Sequence, residues 1–441
     1  MLNKFKIKSI SALLLAVLLF GCSKELDQKP ESAVSPEQIS AENVGFFLNG
    51  LYRRSLPDRD HYVLGDIRGG NYTWTALSGS SGSYGNLITG NNIDDRLGFS
   101  SGLWSHAYRN IFNANIIMEA VDRLGAEGNL ATVKAETSYL RAWHYYQLVT
   151  HFGAVPLILS NTTENIPRNT TAEIWQQIHA DIDYAISHAR PLSVSGTKKV
   201  SVEAARALKS RMLLDQGKKE EAAALAQSVI SSASRTIDED YGRIFRNTDA
   251  STEIIFAFSN QKTESNIRMS SLFWPYGTAW AGSYFVQPSD DAVDALYPDG
   301  DTRKDINIQK IVNSDGSFNI IVSKYWDVQP MIVSRISELY LICAEGFGSN
   351  QGLPYLNVVR ETRGLDPLSA SEVSSDQRFL TEVLEERRRE LYSEGFLFQD
   401  LVRTDRAIDL PNVKTKDQYL LPIPGAQISL SNGVLEQNKG Y

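Results

Sequence analysis

Two helical periods joined by a glycine turn limit what this 441-residue chain can fold into more than any other feature. Between residues 204 and 231, Ala205, Leu208 and Leu213 share one face, Gln216-Gly217 interrupts, and Ala222, Ala226 and Val229 resume the spacing. Apolar residues three or four apart fall on one side of an α-helix. Small residues at that face let two helix axes approach closely, and glycine gives the turn its backbone freedom. Further helical periods offer neighbours to pack on. They run over roughly 104–124 (Tyr108, Ile111, Phe112, Ile116) and 131–150 (Leu140, Trp143, Tyr146, Leu148). Ile174, Ile178 and Ile182 mark another, and 332–347, 353–363 and 376–394 complete the set. Ser35-Pro36-Glu37-Gln38 has the chemistry of a helix start, with Phe47, Leu48 and Leu51 continuing its stripe. Glu253 to Phe258 reads as a short strand, and the end of the chain, with Pro422 and Pro424, as extended.

The Ala/Leu pattern with its glycine turn resembles a tetratricopeptide hairpin, a unit that stacks into curved scaffolds. The expected class is mainly α, with such helix pairs supporting long irregular loops and a few short strands. The scaffold is expected at about 101–232 and 332–395. Two stretches break the helical pattern, at about 56–100 and 260–301, and both are rich in aromatic and polar residues. Aperiodic segments this long inside a compact protein are functional or disordered, and their rings argue against disorder.

The N-terminus decides where the chain goes. Lys4, Lys6 and Lys8 precede an unbroken apolar run from Ala12 to Phe20, the form of a secretory leader over residues 1–21. The run is too short to cross a bilayer, which takes roughly 20 residues. Leu19-Phe20-Gly21-Cys22 has the form of a bacterial lipobox, although Phe20 is bulkier than the usual residue there. Acylation of Cys22 would hold the protein on a membrane without inserting it, since each buried methylene contributes about 0.8 kcal/mol. Residues 22–34 read as a polar tether and 35–441 as a single domain. The formal net charge of −8 becomes more negative once the lysine-bearing leader is removed, which disfavours nucleic acid as a partner.

Three common signatures are missing from the sequence: it has no H-E-x-x-H, G-x-G-x-x-G or P-loop pattern. His61, His106, His144, His151, His179 and His188 are scattered without ligand spacing, and Cys343 sits in an apolar helix as an inert thiol would. Carboxylate pairs at Asp94-Asp95, Asp290-Asp291 and Asp299/Asp301 suit turns, caps or a loop calcium better than the flanking pair a glycosidase needs. The arginines between Glu385 and Glu390 interleave with glutamates at helical spacing, which points to internal ion pairing. No cofactor or metal site is expected beyond such a structural calcium.

The two aperiodic stretches do supply what sugar recognition requires. Aromatic rings cover the flat C–H faces of a pyranose, while amides, carboxylates and guanidinium groups bind its hydroxyls. Candidate ligand contacts are Asp66, Arg68, Asn71, Tyr72 and Trp74 in the first stretch, and Trp274, Tyr276, Trp280 and Tyr284 in the second.

In order along the chain, several blocks resemble the SusD/RagB family of Bacteroidetes outer-membrane lipoproteins. They are Leu140-Arg141-Ala142-Trp143 with Phe152-Gly153 and Val155-Pro156-Leu157, then Glu253-Ile254-Ile255-Phe256, Asp301 with Arg303, and Lys324-Tyr325. Glu338-Leu339-Tyr340-Leu341 with Ala344-Glu345, Arg363-Gly364-Leu365, Glu386 to Leu391 with Glu394-Gly395, and Pro422-Ile423-Pro424 follow. Phe398, where tryptophan is common, and Lys439, in place of a proline, depart from the pattern. The resemblance implies a SusD-like fold and a non-catalytic protein that binds oligosaccharide, or peptide in the RagB branch. It implies a lipid anchor in the outer membrane, outward display, and a SusC-like TonB-dependent β-barrel transporter as partner. A surface glycosidase is the alternative of a different class.

Overall fold

The computed structural model describes residues 36–441 apart from 279, 281 and 314. Cys22, the leader and the tether lie outside the described residues. The longer helices are α1 (Val44–Ser55), α2 (Gly98–Leu124), α3 (Asn129–Phe152), α4 (Thr171–His188), α5 (Val202–Asp215), α6 (Lys219–Ser232), α7 (Ile336–Thr362), α8 (Asp376–Glu390) and α9 (Leu397–Arg403). From α2 to α7 each packs on its predecessor, and α8 closes the stack against α7. Among the described residues, six short strands pair into three antiparallel two-stranded sheets. β1 (Tyr72–Trp74) pairs with β3 (Val286–Pro288), β2 (Ile254–Phe258) with β6 (Met331–Arg335), and β4 (Ile308–Val312) with β5 (Phe318–Val322).

Local chemistry explains the stack. Thr170 and Glu173 form a reciprocal capping box at the start of α4, whose Ile174, Ile178 and Ile182 are fully buried. The α5–α6 turn closes at Gly217 (φ 74). Ala222, Ala223 and Ala226 are fully buried, and α7 approaches so closely that a Cβ on Gly346 would meet the Lys219 carbonyl oxygen at 2.3 Å. α7 is two helices broken at Gly348 (φ 68), the interruption expected between 347 and 353. The largest apolar core gathers residues from Ile39 to Leu435.

Several sequence expectations are corrected. Pro36–Gln38 is only a 3-10 turn, and the helix starts at Val44, because the Asn43 side chain accepts from Ser40 N and donates to the Gln38 carbonyl oxygen to hold a turn between them. Ile332 to Arg335 is strand rather than helix, since β2 takes it as its partner. The 376–394 helix stops at Glu390, where Ser393 (φ 68) and Gly395 (φ 88) turn the chain. The stretch 56–100 is not a long loop. It folds as helices Arg59–Tyr62, Leu64–Gly69 and Ser83–Thr89 with β1, elements too short to display a helical period. Within 260–301 the same holds for Ser270–Phe273, β3 and Asp290–Asp294. Gly425–Leu430 is a helical turn in the segment expected to be extended. Phe112, assigned to the apolar side of its helix, is exposed, because that side centres on Ala107, Ile111 and Ala114.

The polar motif residues meet in the interior. Glu390 accepts from Arg335 Nη1 at 2.6 Å, Arg363 Nη2 at 2.9 Å and Arg303 Nη1 at 2.9 Å. Glu253 accepts from Arg335 at 2.6 Å and Arg363 at 3.0 Å, while Asp301 grips Arg303 through two bonds of 2.7 and 2.8 Å. Glu394 takes Arg335 and Lys324, each at 3.0 Å, and Glu386 pairs with Arg303 at 2.6 Å. All of these side chains are essentially without solvent contact. The arginines of the 385–390 run divide their partners: Arg389 pairs with Glu386, Arg387 with Asp400, and Arg388 with Asp291 and Asn71.

Cys343 is buried, and burial pushes its thiol up to about 12. His61, His106, His144 and His151 line an internal cavity of about 100 Å³. Burial holds these imidazoles and that of His179 below their usual range, His106 and His151 at about 4. His144 bonds Ser55 Oγ at 2.9 Å, and its ring meets that of His106 at 5.5 Å.

Two outcomes follow for stability. Arg335→Met takes one buried cationic partner from each of Glu253, Glu390 and Glu394, and lowers the unfolding free energy by about 3–5 kcal/mol in urea titration. The second concerns acid. A histidine that resists protonation only when folded gives its full stabilisation above pH 6.5 and loses it as pH falls towards about 4. Burial raises Asp66 and Asp215 to about 6 and raises Glu136, so these three work in the opposite direction. Five imidazoles against three carboxyls leave a net loss, and the urea midpoint is lower at about pH 4.5 than at about pH 7.

Candidate functional site: joined aromatic segments and their cleft

The two aperiodic stretches are one structural unit. β1 and β3 pair them in the register Tyr72↔Pro288, Thr73↔Gln287 and Trp74↔Val286. Ser289 N donates to the Asn71 carbonyl oxygen at 2.9 Å, and Thr75 Oγ1 donates to that of Tyr284, extending the seam at both ends.

Four of the candidate contacts lie inside this unit. Asp66 is buried and accepts from Asn71 Nδ2 at 2.6 Å, Ser393 N at 2.9 Å and Gly395 N at 2.5 Å. Desolvation raises its carboxyl to about 6 against the pull of those donors. Arg68 donates to the Gln418 and Tyr419 carbonyl oxygens at 2.5 and 3.3 Å, and its guanidinium covers the Phe398 ring at 3.8 Å. Asn71 also accepts from Arg388 Nε at 2.9 Å, and the Tyr72 hydroxyl bonds Ser393 Oγ. Asp66, Arg68, Asn71 and Tyr72 thus fasten the first stretch to the C-terminal part of the chain, and the structure keeps them off the surface. Tyr284 is also buried, at φ 47, with its hydroxyl donating to Gln287 Oε1 at 2.7 Å and the Ile320 carbonyl oxygen at 3.0 Å. Trp274 is half-buried and donates from Nε1 to the Tyr325 carbonyl oxygen at 2.7 Å.

Trp74, Tyr276 and Trp280 remain with open ring surface. Trp74 is 37% exposed and Tyr276 90%. Trp280, half-buried, meets Trp326 edge-to-face with centroids 5.4 Å apart. Trp326 lies outside both stretches and was missed in the sequence reading. Its signal was local: an indole between the Lys324-Tyr325 motif and Asp327. Arg246 lies over Trp326 at 5.9 Å, and Asp327 is ion-paired with Lys262 and lies 4.0 Å from Arg268.

Arg268 also borders an open cleft of about 750 Å³ that draws residues from both stretches. Tyr84 stacks on Phe285 at 5.1 Å and meets Phe99 edge-on at 5.3 Å, forming one aromatic wall. Opposite polarity comes from Arg59, which pairs with Asp60 at 3.1 Å and donates to Ser271 Oγ. Asp60 also accepts from the Tyr84 hydroxyl at 2.9 Å. Burial and that neighbouring carboxylate push the Tyr84 phenol well above its usual range, so it stays a neutral donor. Rings beside fixed donors and acceptors suit a ligand with apolar faces and a polar rim.

The carboxylate pairs have structural duties. Asp94 holds Arg96 across a turn, Asp290 and Asp291 open a short helix capped by Ser289, and Asp301 belongs to the interior ion network. Among the described residues no group of three or more His, Cys, Asp or Glu is arranged to hold a metal ion. No helix among them is long and apolar enough to cross a membrane.

Comparison with known proteins adds the lineage. A family profile described as "Starch-binding associating with outer membrane" matches residues 26–214, and one described as "SusD family" matches residues 231–410. SusD-like protein P2 of Formosa agariphila is 26% identical across the whole of both chains, and SusD-like protein P38 of the same organism 24%. Among solved structures, a laminarin-binding SusD-like protein superposes with a TM-score of 0.79 at 22% identity, covering 91% of this chain and 100% of that one. Surface glycan-binding protein A from Bacteroides thetaiotaomicron, in complex with laminarihexaose, gives a TM-score of 0.79 at 18% identity and the same coverage.

Proposed function

We propose, from the premise that this chain belongs to the SusD family, that it captures oligosaccharide at the bacterial surface through the rings of Trp74, Tyr276, Trp280 and Trp326 and the adjoining cleft. In this reading the lipidated Cys22 tethers it to the outer membrane facing outwards, and it passes its ligand to a TonB-dependent β-barrel transporter. The observation that carries the reading is the β1–β3 seam, which joins two ring-bearing segments on a rigid helical support. Preformed rings cost little conformational entropy on binding, so stacking energy goes into affinity. Binding without catalysis is favoured by the carboxylates. Asp60 is committed to Arg59 and Tyr84, and Asp327 to Lys262.

A neutral β-glucan is a reasonable first probe, because a structural neighbour carries laminarihexaose. The test is retardation in gels containing candidate polysaccharides, followed by calorimetry on oligosaccharides and on a peptide panel. Trp74→Ala, Trp280→Ala and Trp326→Ala are each expected to weaken glycan binding about tenfold, the scale of one aromatic contact, with the circular dichroism spectrum unchanged. Undiminished affinity in all three folded variants sinks the site. Peptide binding without glycan binding, or release of reducing ends from the polysaccharide, sinks the function.

A further inference from the structure

The charge around the Trp280–Trp326 pair runs against that of the chain as a whole. With 52 acidic residues to 44 basic ones, an exposed cation ordinarily has a carboxylate to pair with. Beside these two indoles the balance reverses.

Local structure explains the reversal. The short helix Tyr241–Arg246 buries Tyr241, Ile244 and Phe245, which turns Arg243 and Arg246 outwards. Arg243 is paired with Asp238 at 3.3 Å and lies 3.8 Å from Asp240. Asp249, further along, is taken by Lys198 at 2.8 Å. Arg246 lies exposed over Trp326 at 5.9 Å, and its guanidinium has no carboxylate or hydrogen-bond partner among the described residues. Next to Trp326, one carboxylate serves two cations. Asp327 pairs with Lys262, and Arg268 Nε lies 4.0 Å away, at the limit of an ion pair. The Lys262 and Arg268 side chains are 62% and 52% exposed. Glu264 adds a second carboxylate on the turn that carries Lys262, but Arg53 comes with it, donating to its carbonyl oxygen at 3.2 Å.

Among other residues lining the adjoining cleft the sign changes. Asp60 is held by Arg59, and Asp58 has only the His61 imidazole beside it at 3.8 Å, which burial keeps neutral at pH 7. An anionic group is therefore favoured at the indoles and disfavoured beside Asp58. An unpaired guanidinium offers a planar fork of N–H donors that fits a carboxylate or a sulfate through two bonds, and such charge-assisted bonds are roughly twice as strong as neutral ones. The net negative charge of the chain repels a polyanion at long range, so any preference for one has to come from contacts at this edge.

We propose that the indole edge selects acidic glycans, taking a sugar that bears a carboxylate or a sulfate ester, with Arg246 receiving the anion and Lys262 and Arg268 supporting it. This rests on the reading of Trp280 and Trp326 as a glycan platform and narrows its ligand class. Stacking alone serves a neutral chain, and the anion adds to it. Calorimetric titration of polygalacturonate, alginate and a sulfated galactan, each against its methyl-esterified or desulfated form, tests the preference. At least one acidic form is expected to bind about tenfold tighter than its neutral counterpart, and the uronate and sulfate arms show which anion is preferred. Raising salt from roughly 0.02 to 0.5 M is expected to erase most of that ratio. Arg246→Gln is expected to lower the ratio about tenfold and Arg246→Lys to keep part of it, with circular dichroism confirming the fold. Arg378→Gln, which removes the same charge from the exposed side of α8, is expected to leave the ratio as it is. Equal affinity for both forms in every pair overturns this proposal while glycan capture stands. A ratio that survives Arg246→Gln in the folded protein, or falls equally with Arg378→Gln, overturns it as well. Absence of binding to acidic and neutral forms alike takes down both readings.

Discussion

The fold depends on one carboxylate, Glu390, and the three arginines that converge on it. Arg303, Arg335 and Arg363 come from a turn, the end of β6 and the end of α7. Their other contacts reach Asp301, Glu253 and Glu394, so strand, turn and helix are tied at a single buried point. Burying this many charges gives up their hydration, and only near-complete mutual satisfaction makes the arrangement tolerable. What it supplies is directional. An apolar contact accepts many rotations of one element against another, whereas a bidentate guanidinium accepts few. The helical stack provides bulk stability through its apolar core, and the ion network fixes how the C-terminal half docks on it.

That docking reaches the two aromatic segments through a short chain of contacts. Glu394 belongs to the network, and the adjoining Ser393 and Gly395 donate their backbone N–H groups to Asp66. Asp66 in turn holds Asn71, which leads directly into β1 and its pairing with β3. The rings of Trp74 and of the 274–280 segment therefore stand on a support whose position is set in the interior. A site of this kind needs its elements ordered before ligand arrives, because ordering them afterwards would subtract from affinity.

The scaffold was legible in the sequence because helical burial is periodic. Ile174, Ile178 and Ile182, or Ala222 and Ala226, announce their face by spacing alone, and each is fully buried. The short elements of 56–100 were illegible for the same reason, since helices such as Arg59–Tyr62 and Leu64–Gly69 span about one turn or two and leave no period to detect. The motif blocks around Glu253, Asp301, Lys324, Arg363 and Glu390 carried the family likeness, but nothing in the order of residues says that they meet. Their convergence is a property of three dimensions.

The candidate site was half legible, and the division follows the physics of polar groups. Asp66, Arg68, Asn71 and Tyr72 were chosen because their chemistry suits a sugar rim, yet the same chemistry suits a buried joint, where each unpaired backbone group must find a donor or acceptor. The surrounding glycines and turns raise the number of such groups, and the side chains went to meet them. Trp74, Tyr276 and Trp280 have less to offer the interior, and they keep open ring surface. An aromatic residue in a polar, irregular segment therefore keeps its surface open more readily than the polar residues around it. Trp326 obeys the same rule: it sits between a lysine motif and an aspartate, outside either stretch, and it packs edge-to-face on Trp280.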